Sequence, residues 1–198
     1  EWLEGLGHFG SSGLKELDLS ENSLGENNLK YLSLALADCK SITKLDLRSC
    51  ALHPNSADGL YSLLAHQPVL RELHLGCQIS LVDRNMLNAE NIKFIFTSLQ
   101  NLSCLTVLDL GVNDLGVDGM QELTVPMQRM TNLTFLNLRI CKISSAGAEE
   151  LASVLGFLTR ITSIDLSHNK IGPNGGKALA GALERLQRIS RLEICNNK

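Results

Sequence analysis

Apolar residues recur along this chain in one spacing, three of them at offsets 0, 3 and 5. The triplets are Leu14-Leu17-Leu19, Ile42-Leu45-Leu47, Leu70-Leu73-Leu75, Leu105-Leu108-Leu110, Leu133-Leu136-Leu138, Ile161-Ile164-Leu166 and Ile189-Leu192-Ile194. All 21 positions are Leu or Ile, and the steps between triplet starts are 28, 28, 35, 28, 28 and 28 residues. Self-similarity at a fixed period marks an array of stacked supersecondary units. Around offsets 3 and 5 apolar and polar residues alternate, which predicts a short strand. Later in each unit come apolar pairs at offsets 18 and 22: Leu32 and Leu36, Leu60 and Leu64, Leu123 and Met127, Leu151 and Leu155, Leu179 and Leu183. A spacing of four puts each pair on one helix face. Asn28, Ser56, Asn91 or a glycine are predicted as helix-start caps.

A strand of about five residues and a helix of about three turns fit the period. One such unit cannot bury both its strand and its helix face, so stacking must build one continuous Leu-rich core. The strands then run parallel, joined by helical crossovers. Eight residues after each unit start stand Asn22, Cys50, Gln78, Asn113, Cys141, Asn169 and Asn197. Two residues later come Leu24, Leu52, Ser80, Leu115, Ile143 and Ile171. An Asn where the chain leaves the strand can bond unpaired backbone groups. A thiol does so more weakly but packs as a small apolar group, which makes Cys50 and Cys141 structural.

The pattern L-x-x-L-x-L-x-x-N/C-x-L resembles the leucine-rich repeat family. The 28-residue period and the near-alternation of Asn and Cys are similar to its ribonuclease-inhibitor-like subfamily. The resemblance implies an α/β solenoid, a horseshoe with a concave parallel β-sheet and convex helices. Residues 1–198 read as a single repeat domain with units starting near 14, 42, 70, 105, 133, 161 and 189.

Three departures stand out. The third unit is seven residues longer, with Gln78 and Ser80 at its turn positions, so Gln78–Asn88 reads as an insertion between strand and helix. Insertions in such arrays map to loops at one edge. Pro126 falls near the middle of a predicted helix and should kink or shorten it. The start, Glu1-Trp2-Leu3, reads as the tail of an earlier helix, and Asn197-Lys198 follows a seventh strand signature. Solenoids hide their ends under polar capping units, so the chain is expected to be a piece of a longer protein. Its uncapped ends are candidates for self-association.

Composition narrows the class of function. The chain is 44% hydrophobic and 20% charged, enough to build a core. A net charge of −3 argues against nucleic acid as a partner. No apolar run of about 18 residues exists, so no membrane span is expected. Glu1–Gly10 lacks the features of a signal peptide. The six cysteines, Cys39, Cys50, Cys77, Cys104, Cys141 and Cys195, contain no C-x-x-C pair and fit no zinc template. They are read as reduced thiols of a cytoplasmic protein, and no cofactor or metal is expected.

In each strand the residues between the Leu positions project to the concave surface. The first column reads Glu16, Lys44, Glu72, Val107, Phe135, Ser163, Arg191. The second reads Asp18, Asp46, His74, Asp109, Asn137, Asp165, Glu193, and the third Ser20, Arg48, Gly76, Gly111, Arg139, Ser167, Cys195. Val107 and Phe135 are exposed apolar residues in this register, and an aromatic on an open sheet is a natural interface anchor. Arg48 and Arg139 are candidates to pair with acidic groups on a partner. The predicted protein-binding face therefore comprises Arg48, His74, Val107, Asp109, Phe135, Asn137 and Arg139. Catalytic residues are not expected. None of His8, His53, His66, His74 and His168 stands beside a nucleophile at motif spacing. His74 between Asp46 and Asp109 reads as ordinary polar surface. Gly172–Gly176 lacks the Lys-Ser/Thr end of a phosphate loop and reads as a strand-to-helix turn.

The resemblance implies a non-enzymatic protein-recognition module. The expectation is the ligand-sensing, autoinhibitory repeat domain of a cytosolic NOD-like innate immune receptor. The alternatives are a regulator of an enzyme, ribonuclease-inhibitor-like or Ran GTPase-activating-like, and the substrate-binding array of a ubiquitin ligase.

Overall fold

The computed structural model describes residues 13–77 and 85–198. Seven three-residue strands form one parallel sheet in sequence order: β1 (Glu16–Asp18), β2 (Lys44–Asp46), β3 (Glu72–His74), β4 (Val107–Asp109), β5 (Phe135–Asn137), β6 (Ser163–Asp165) and β7 (Arg191–Glu193). Six helices cross between them: α1 (Gly25–Ala35), α2 (Ala57–Ala65), α3 (Ala89–Leu99), α4 (Gly116–Met127), α5 (Ser145–Leu155) and α6 (Gly172–Leu183). Each strand pairs with the next in the register of the repeat, Leu45 with Leu73, Leu73 with Leu108, Leu108 with Leu136. This is the leucine-rich repeat solenoid. The triplet residues of the inner units are 0–1% exposed and join the helix pairs in one core.

Beyond that core, side chains at the turn stitch neighbouring units together. Asn169 Oδ1 accepts from the amides of Cys141 and Ile143 in the preceding unit, at 2.9 and 3.0 Å. Its Nδ2 donates to Leu138 O across the unit boundary at 2.8 Å and to Leu166 O in its own unit at 2.9 Å. Asn113 donates in the same way to Leu75 O and Leu110 O. The cysteine units do less: Cys50 Sγ donates to Leu19 O at 3.0 Å and Cys141 Sγ to Leu110 O at 3.2 Å. Burial pushes both thiols up to about 12, so they stay protonated donors. All six cysteines are free. A hydroxyl ladder adds to this at the start of the strands. Thr43, Thr106, Thr134, Thr162 and Ser190 each donate to the backbone carbonyl of the preceding unit, at 2.9–3.1 Å.

The two kinds of turn residue go with two backbones. Units with Asn22, Asn113 and Asn169 place a glycine three residues on, Gly25, Gly116 and Gly172, at φ +51 to +61. Units with Cys50 and Cys141 instead put the residue after the cysteine, Ala51 and Lys142, in the left-handed region. Both kinds hold the residue before the turn position there as well, including the β-branched Val112 and Ile140 at φ +62 and +54. Such residues pay for that backbone conformation. They hold it because the carbonyls and amides on either side are fixed by the ladder.

The third unit corrects the sequence reading. Gln78 and Ser80 lie outside the described residues. The turn position is filled by Asn85, whose Oδ1 accepts from Cys50 N and Leu52 N at 2.9 and 3.1 Å. Its Nδ2 donates to Leu47 O and Leu75 O at 2.8 and 3.0 Å. From Asn85 onward the unit is regular, with Leu87, Ile95 and Leu99 buried at the expected steps. The extra residues are therefore seven, between Cys77 and Asn85, and not the whole of Gln78–Asn88. Pro126 does not shorten its helix: α4 runs through it to Met127 and equals α6 in length. Its missing N–H removes one helical hydrogen bond, but it stands one residue before the end of α4, so no downstream segment of the helix has to bend around it. The caps also differ. Asn28 and Asn91 lie inside α1 and α3, Ser56 makes no capping bond, and Ser144 caps α5 by accepting from Gly147 N at 3.5 Å. At the other end of the sheet, Leu192 and Ile194 of the β7 unit are 39% and 50% exposed, whereas their inner counterparts are buried.

Asn169→Ala would strand two amides and two carbonyls, each worth roughly 1–3 kcal/mol when buried and unpaired. It should lower the unfolding free energy by at least about 3 kcal/mol in a urea titration. Gly116→Ala, with open space at its Cβ position but φ +58, should cost only about 1 kcal/mol.

Candidate protein-recognition surface

The strand register places the predicted residues side by side. Glu72, Val107 and Phe135 are in-register partners, as are His74, Asp109 and Asn137. Neighbouring strands lie about 4.8 Å apart, so these side chains form two continuous rows. Val107 and Phe135 are half-buried rather than exposed, with part of each side chain open to solvent.

The second row serves the backbone first. Asp18, Asp46, Asp109 and Asp165 each accept from the amide two residues on, at 2.8–3.1 Å, and Asn137 Oδ1 does the same for Arg139 N at 3.0 Å. This closes the turn at the strand's end. At these five positions the carboxylate or carboxamide has a backbone task whatever the partner, and among β1 to β6 His74 is the exception in the row. These bonds hold Asp18 below the usual carboxylate value, chiefly through Ser20.

Charges in the middle of the face are largely paired within it. Arg48 lies on Asp46, with Nη2 2.6 Å from Oδ2 and Nε 2.9 Å from Oδ1, which pushes the guanidinium value up. Asp46 is buried, so Arg48 is committed to it rather than offered to a partner. Asp109 Oδ1 accepts from Asn137 Nδ2 at 2.8 Å as well as from Gly111 N. His74 Nδ1 stands 3.8 Å from Asp109 Oδ2, and its Nε2 stands 3.6 Å from Glu72 Oε2. That Nε2 is shielded from solvent and makes no hydrogen bond. Asp109, with help from Asp46 and Glu72, raises the imidazole value against the opposing effect of burial. The Arg139 guanidinium has no ion pair or hydrogen bond among the described residues.

Gly76 and Gly111 occupy the third row between Arg48 and Arg139. A Cβ on Gly76 would meet Asp109 Oδ1 at 2.8 Å, and one on Gly111 would meet Asn137 Nδ2 at 2.8 Å. The floor of the face is thus bare backbone flanked by two arginines. His53, His66 and His168 lie off the strands, His66 closing α2 and His168 in the turn after β6. Among the described residues no three His, Cys, Asp or Glu side chains are placed to hold a metal ion, and no helix is long and apolar enough to cross a membrane. Gly172–Gly176 opens α6 as the strand-to-helix turn.

Comparison with known proteins agrees with the fold. Residues 101–123, 129–152 and 158–180 match the family described as Leucine Rich repeat. The ribonuclease inhibitor of Sus scrofa is 41% identical over 64 residues, 32% of this chain and 14% of that protein. The matched part therefore spans a small fraction of that relative's length. The solved tropomodulin C-terminal domain of Caenorhabditis elegans superposes with a TM-score of 0.55 at 16% identity, covering 92% of each chain. The fold is thus a leucine-rich repeat solenoid, and three of its units match the repeat family.

The raised His74 value fixes a pH dependence. Because the folded value stands above the ordinary 6.5, protonation stabilises the native state. The contribution is complete below pH 6.5 and fades as the pH rises through the folded value. Unfolding titrations of the wild type and His74→Gln should therefore diverge most at acidic pH and converge toward alkaline pH. A constant offset between the two would contradict the assignment.

Proposed function

We propose that this chain is a non-enzymatic module that binds a protein on its concave sheet, around β3 to β5. The observation that carries this reading is the half-buried pair Val107 and Phe135, adjacent on β4 and β5 and bordered by the unpaired Arg139. Elsewhere the first row is polar or charged, so an apolar pair at the centre of the array has no role in the core beneath it. Aromatic and Arg residues near the middle of a contact surface tend to carry binding energy. His74, Asp109 and Asn137 form the polar shoulder of this patch, and Arg48 shapes its far side through Asp46.

Regulation of an enzyme is the finer reading that the 41% match to a ribonuclease inhibitor supports. The ligand-sensing domain of a NOD-like innate immune receptor rests on the resemblance of the repeats alone. A ubiquitin-ligase substrate array rests on the same ground. A cytoplasmic location belongs to this proposal and is supported by six free thiols, two of them exposed.

Affinity capture from cell extract, quantified with purified binder once one is identified, tests the surface. Phe135→Ala combined with Arg139→Ala should weaken binding by at least about 2 kcal/mol, roughly 30-fold in Kd, with the melting curve unchanged. Glu149→Ala and Arg185→Ala, both exposed on the convex side, should leave binding as it is. Loss of binding with the convex pair and not with the sheet pair would move the recognition surface to the helices.

A further inference from the structure

The second row of the concave face suggests an acidic surface, yet the carboxylates of its middle units have partners within the face. Three carboxylates stand on the rows of β2 to β5. Asp46 is held by Arg48 at 2.6 Å, Glu72 lies 4.0 Å from Lys44 Nζ, and Asp109 has His74 at 3.8 Å together with donors from Asn137 and Gly111. Among the cations on those rows, Arg139 alone has no carboxylate within ion-pair distance among the described residues. Its row neighbours are Gly111 and Ser167, neither of which carries a charge or a long side chain to screen it. Gly111 also has no room for a side chain, so the approach to Arg139 across β4 is over bare backbone. Two residues back along the chain lies Asn137, then Phe135, beside Val107.

We propose that this patch takes an acidic segment of a partner protein in which a carboxylate adjoins an apolar side chain. The apolar group packs on Val107 and Phe135, and the carboxylate pairs with Arg139. The inference rests on the concave-sheet reading above and adds the chemistry of what binds there. A planar guanidinium with its five donors free matches a carboxylate bidentately. A basic segment would meet Arg139 as a like charge and would find Asp46, Glu72 and Asp109 already engaged.

Selection of short random peptides displayed on phage against the immobilised chain provides the test. The wild type should enrich peptides with Asp or Glu next to an aromatic or aliphatic residue. Binding of those peptides should fall at least about tenfold with Arg139→Glu, and selection on that variant should turn to Lys and Arg. Melting curves establish that Arg139→Glu and Phe135→Ala are folded. Peptides that depend on Phe135 but are basic or indifferent to charge would overturn this inference and leave the concave-sheet reading standing. Peptides that bind Phe135→Ala and Arg139→Glu as well as the wild type, or no enrichment at all, would overturn both.

Discussion

Everything in this molecule depends on coupling between neighbouring units, because no unit has a core of its own. A three-residue strand and one helix leave their apolar faces open until the next unit covers them. The Leu and Ile triplets supply that cover without direction, since apolar burial is not sensitive to exact orientation. Direction comes from the polar ladder at the turn. Asn85, Asn113 and Asn169 each reach across the unit boundary and satisfy backbone groups that a parallel sheet would leave unpaired as its strands end. The register of the sheet, and with it the rows of the concave face, is a consequence of those bonds.

The same economy governs the face itself. Side chains of the second row close the strand ends, so their carboxylates belong first to the scaffold. Arg48 and His74 are drawn onto them, and charges that look available in the sequence are already engaged. What remains open on the proposed binding face is small and central: an apolar pair on β4 and β5 and one unengaged guanidinium. A rigid parallel sheet presents such a patch at low entropic cost, because its side chains are held by their neighbours before a partner arrives.

Much of this was legible in the sequence. The triplet period located all seven strands, and the Asn and Cys turn positions located the ladder, because both demands recur at every unit. The third unit was misread because Gln78 stood at the expected offset while the residue that performs the task, Asn85, came seven positions later. Removing seven residues from the unit restores Asn85, Leu87, Ile95 and Leu99 to their places, and that correction was available from the step of 35 alone. Two helix starts were misplaced, at Asn28 and Asn91, because α1 opens earlier at Gly25 and α3 at Ala89. Ser56 and the glycines Gly116 and Gly172 stand where the starts were expected, though Ser56 makes no capping bond. The pairing of charges around Arg139 depends on which side chains touch. Arg48 and Arg139 share a row, and what separates them is the residue two before each, the carboxylate of Asp46 against the carboxamide of Asn137, a contrast read only once the contacts are known.

Native-state hydrogen exchange tests the ladder most directly. The amides of Cys50, Leu52, Cys141 and Ile143 lie in turns and find their acceptors in the Asn85 and Asn169 side chains of the following unit. If unit-to-unit coupling through those side chains sets the register, these four amides exchange as slowly as those of Leu75 and Leu110, which follow β3 and β4 and donate to Asp109 O and Asn137 O of the next strand. Exchange at the rate of open turns, with the strands still protected, would show that the apolar core alone aligns the array.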